Sequence, residues 1–83
     1  MTDVNALANK LADDCIAAQR EIGNDRLFME VAQVIGTASQ TLEEAFLTAV
    51  RTRMAEAKGR AFLKQTLDRH RAATGGTDGP RTG

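Results

Sequence analysis

Gly36-Thr37-Ala38-Ser39-Gln40-Thr41 is the stretch that decides how many helices this chain forms. Glycine is a poor helix former, and threonine and serine divert hydrogen bonds to the nearby backbone. Thr41-Leu42-Glu43-Glu44 then fits a capping box, a threonine with a glutamate three residues on, ahead of an apolar run. Together these predict a break and a third helix. One observation opposes the break. At about 100° per residue, the apolar stripe before the glycine runs in phase into Leu42, Ala45, Phe46 and Ala49. A single helix from Arg26 to about Ala72 would keep its face, at the cost of one glycine and several weak helix formers. The reading is therefore all-α, an antiparallel helical hairpin plus a long third helix. The alternative is a two-helix hairpin with one very long second helix.

Upstream of this stretch, Val4, Leu7, Ala8, Leu11, Cys15, Ala18 and Ile22 recur at intervals of three and four. They form one helical stripe, with Asn9, Asp13 and Ala17 opposite. Asp3 or Thr2 is the expected N-cap. Gly23-Asn24-Asp25 supplies a stop, a turn and a new cap. A second stripe follows in Leu27, Phe28, Val31, Val34, Ile35 and Ala38, and the short turn should lay it antiparallel on the first.

Downstream, Leu42, Phe46, Ala49, Val50, Met54, Ala57 and Ala61 are apolar on one side. After Gly59 the large residues Phe62, Leu63 and Leu67 lie elsewhere on the wheel, which marks a kink or a change of packing partner. Residues 1–73 read as a single helical domain. Residues 74–83, from Thr74 to Gly83, hold almost nothing to bury and read as a disordered tail.

Leaving out Met1, nineteen large apolar side chains and fourteen alanines make up most of the buriable surface of these 83 residues. Alanine favours helix but buries little area. Against roughly 1.5 kcal/mol of entropy per ordered residue, such a core is marginal for a lone chain. Self-association or a larger partner would add the missing surface. The single cysteine excludes an internal disulfide, no apolar run approaches a membrane span, and Met1-Thr2-Asp3-Val4-Asn5 lacks a signal-peptide layout. A cytoplasmic location is the resulting expectation. Length, alanine content and charge layout resemble many small bacterial helical proteins, a likeness too widely shared to name a family.

Net charge is zero, but it is unevenly spread. Residues 1–50 hold eight carboxylates against three cations, and residues 51–83 hold eight cations against three carboxylates. Arg53, Arg60, Lys64 and Arg71 are spaced seven, four and seven apart, so they line one narrow helix face. Such a stripe can follow phosphates, dock on an acidic protein surface, or simply be solvated while complementing the helix dipole.

Catalysis finds little support in the residues. Cys15 sits inside the first apolar stripe, where burial raises a thiol pKa and blunts reactivity. His70, the only histidine, has no cysteine or carboxylate three or four residues away on its face. No Gly-Lys-Ser/Thr occurs. The expectation is a non-enzymatic interaction or assembly protein without catalytic residue, metal or cofactor. Its partner would be itself or another protein, met through Phe46, Val50, Met54, Phe62, Leu63 and Leu67. The runner-up is nucleic-acid binding through Arg53, Arg60, Lys64 and Arg71.

Overall fold

The computed structural model describes residues 3–74, and within them the chain forms α1 (Val4–Ile22), α2 (Leu27–Gly36) and α3 (Gln40–Ala73). The disordered tail expected after Ala73 lies outside the described residues, apart from Thr74.

The break after α2 is real, so the two-helix alternative fails. Gly36 is the last helical residue, and the Thr37 hydroxyl turns back to donate to the Val34 carbonyl at 2.7 Å. Ser39 adopts an extended backbone and its hydroxyl accepts the Leu42 N–H at 3.1 Å. Side-chain oxygens thus meet backbone groups that a continuous helix would have paired internally. Ser39, two residues earlier than expected, is the cap in place of Thr41. The backbone is already helical at Gln40, so the Thr41 hydroxyl has no capping position to fill.

α1 begins at Asp3, whose carboxylate accepts the Asn5 N–H at 2.9 Å. It ends at Gly23, which takes the left-handed conformation (φ 71°) that a side chain would strain. Asp25 does not cap α2. Instead the Asn24 side-chain oxygen accepts the Arg26 N–H at 3.0 Å, and the buried Gln19 of α1 accepts the Phe28 N–H at 2.9 Å. Gln19 therefore serves both sides of the turn. Its backbone carbonyl receives the N–H groups of Gly23 and Asn24, and its side chain satisfies a donor in the first turn of α2.

Asn5, Ala8 and Asn9 border one cleft with Thr41, Ala45 and Ala49, while Ile16 and Arg20 border another with Met54 and Ala57. α1 and α3 therefore run in the same direction, with α2 antiparallel to both. The core holds Ala8, Ala12, Cys15, Ala32, Phe46, Ala49 and Val50, with Leu11, Leu27, Phe28, Val31, Ile35, Leu42 and Met54 packed around it. Four of its seven members are alanines, which lets the helices approach closely but buries little area. In α1 the buried line is Ala8, Ala12, Cys15 and Gln19, rotated by roughly 50° from the expected stripe. Small residues face the neighbouring helices, leaving Val4, Leu7 and Ile22 exposed. In α2, Val34 is exposed as well, and Ala38 lies in the turn beyond the helix.

Candidate functional site

Beyond Met54 every residue of α3 to Ala73 is exposed, a helical arm of 19 residues. Its first turn, at Glu56 and Ala57, still borders a cleft with α1, and the 16 residues after Ala57 run on for ~24 Å. The core-facing stripe of α3 holds Leu42, Phe46, Ala49 and Val50 within the body, then Ala57, Arg60, Lys64 and Arg71 along the arm. That stripe turns charged where α1 ends, so nothing draws the arm back against the body. Ala57 and Ala61, expected on a buried side, are therefore solvated.

The residues expected to form one partner surface divide into two groups. Phe46 and Val50 are fully buried inside the chain, and Met54 is half-buried beside them. They hold α3 to the hairpin, and Phe46 and Val50 have no surface to offer a partner. Phe62, Leu63 and Leu67 stand on the arm with 61%, 62% and 48% of their surface exposed. Apolar content along α3 grouped all six, although Phe62, Leu63 and Leu67 lie elsewhere on its wheel. It cannot tell where α1 and α2 stop.

The basic stripe is similarly divided. Arg53 is tied inside the body, donating from Nε to Asp13 Oδ1 at 2.6 Å and from Nη1 to Asn9 Oδ1 at 3.3 Å and the Ala49 carbonyl at 3.1 Å. Arg60 pairs with Glu56 one turn away, and Lys64 pairs with Asp68 at 3.0 Å. Only Arg71 of the four has no carboxylate within 4.0 Å among the described residues. Exposed pairs of this kind are weak and exchange readily. The arm nevertheless carries Lys58, Arg60, Lys64, Arg69 and Arg71 against Glu56 and Asp68, a net charge of +3.

Lys58 and Arg69, missed by the single-stripe reading, lie on the arm beside Phe62, whereas Arg60 and Arg71 lie beside Leu67. Cations thus flank the apolar side chains on both sides. The spacing of Lys58 and Arg69, eleven residues apart and thus close to three turns, was the signal that could have found them.

No protein family, curated protein or solved structure matches this chain. Among the described residues no group of three or more His, Cys, Asp or Glu side chains converges, and no helix is long and apolar enough to cross a membrane. Cys15 is buried, and desolvation pushes its thiol above the ordinary value of 9.0. His70 is exposed in the last turn of α3.

Proposed function

We propose that this chain is a non-enzymatic interaction protein that self-associates through the arm of α3. The observation that carries the reading is the exposure of Phe62, Leu63 and Leu67 on a helical segment that, among the described residues, buries none of its side chains. Three large apolar side chains within six residues of an exposed helix gain from burial against a partner. The alanine-rich core adds a second reason, since it buries little apolar area and association would bury more.

Light scattering after size exclusion tests this. The wild-type chain is expected to be multimeric at micromolar concentration, and Phe62→Asp with Leu67→Asp is expected to leave a folded monomer. A wild-type monomer at high micromolar concentration would overturn the proposal. Absorbance at 260 nm in the same run checks for bound nucleic acid, because the chain has no tryptophan or tyrosine to mask it. Retained nucleic acid that is lost with salt would favour phosphate binding by the arm instead.

A further inference from the structure

We infer that the arm docks on the outer face of the α1–α2 hairpin of a second copy, the face turned away from that copy's own α3. The inference rests on the self-association proposed above and specifies the surface that receives the arm.

Charge selects that surface. The arm carries +3, so two arms laid together would repel. The segment from Asp3 to Gly36 carries six carboxylates against Lys10, Arg20 and Arg26, a net charge of −3. Its carboxylates are not all used internally. Asp13 is held by Arg53 and Asp14 by Lys10, but Glu21 and Asp25 have no cation within 4.0 Å among the described residues.

The apolar pattern marks the same face. On the α1 side, the clefts between α1 and α3 are bordered by Asn5, Asn9, Asp13 and Ile16. Leu7, Asp14 and Glu21, spaced seven apart, lie roughly 140° around the helix from that line. Leu7 is 48% exposed there, where the first helix has more apolar surface than its own bundle uses. On α2, Gly36 lies against Glu43 of α3, and Val34 is on the opposite side, the most exposed of the large apolar residues at 71%. Leu7 and Val34, bordered by Asp14 and Glu21, are thus the counterpart of Leu63 and Leu67 bordered by Arg60 and Arg71. Length agrees as well, since α1 and the arm are each 19 residues.

Charge reversal in the full chain tests the docking, read as the dimer dissociation constant by sedimentation equilibrium. Asp14→Lys with Glu21→Lys should weaken association about tenfold or more, as should Arg60→Glu with Arg71→Glu, the cations that border Leu67. An equimolar mixture of the two variants should associate more tightly than either alone, because each offers the other one matching arm-and-face contact. Circular dichroism checks that both variants remain helical. Should the hairpin variant associate like wild type while the arm variant does not, the arm is bound elsewhere, and this inference fails while self-association stands. A failure of the mixture to recover affinity also overturns it. A monomeric wild type overturns both.

Discussion

Arg53 of α3 donates from Nε to the Asp13 carboxylate of α1 across 2.6 Å, joining the two helices midway along α1. The arginine side chain is only 31% exposed, and its Nη1 nitrogen is held by the Ala49 carbonyl. The guanidinium is therefore already oriented when the ion pair forms, which lowers the entropy lost in making it.

A double-mutant cycle over Asp13→Ala and Arg53→Ala should give a coupling of about 0.5–1 kcal/mol in urea denaturation. The coupling should shrink at high salt, because Asp13 is largely exposed.

Gln19→Ala should destabilise the chain by about 1–2 kcal/mol, since it leaves the Phe28 N–H unpaired in a part-buried turn. Arg20→Ala, one residue further along the same helix, is the natural comparison. Arg20 is exposed and its loss should change stability by less than about 0.5 kcal/mol. Thermal or urea unfolding followed at 222 nm distinguishes the two.

Phe46→Ala should cost about 3–5 kcal/mol, enough to unfold so thin a core. Phe62→Ala should leave monomer stability within about 0.5 kcal/mol while weakening association. Equal losses of stability would mean that the arm packs on its own body.

Gly59 lies inside α3 with open space where a Cβ would go. Gly59→Ala should stabilise the helix locally by about 0.5–1 kcal/mol. Hydrogen exchange of the arm amides near Phe62 to Leu67 should slow by about two- to fivefold, with the body amides unchanged.

Burial raises the Cys15 thiol above 9.0, so on raising the pH the unfolded chain loses this proton first. The stability linked to the buried thiol is complete below 9.0 and is lost as pH rises through the unfolded and then the folded value. Unfolding free energy should therefore fall above that pH in wild type and fall less in Cys15→Ala. Below it, thiol reagents should react only as fast as the chain opens.

Much of this was legible along the chain. Gly23 ends α1 because glycine takes the left-handed conformation of the cap without strain, and Cys15 is buried because its apolar neighbours repeat at helical spacing. Gly36, Thr37 and Ser39 break the helix through their own local chemistry, so the third helix was readable too, although not which residue caps it. These are local properties, decided within a few residues. The tertiary structure alone separated Phe46 and Val50 from Phe62, Leu63 and Leu67, because α1 and α2 are too short to follow α3 along its length. It likewise gave Arg53 to Asp13, forty residues away in sequence, and left Lys58, Arg69 and Arg71 on the arm. Periodicity identifies which face of a helix is apolar; only the position of the other helices decides which part of that face is covered.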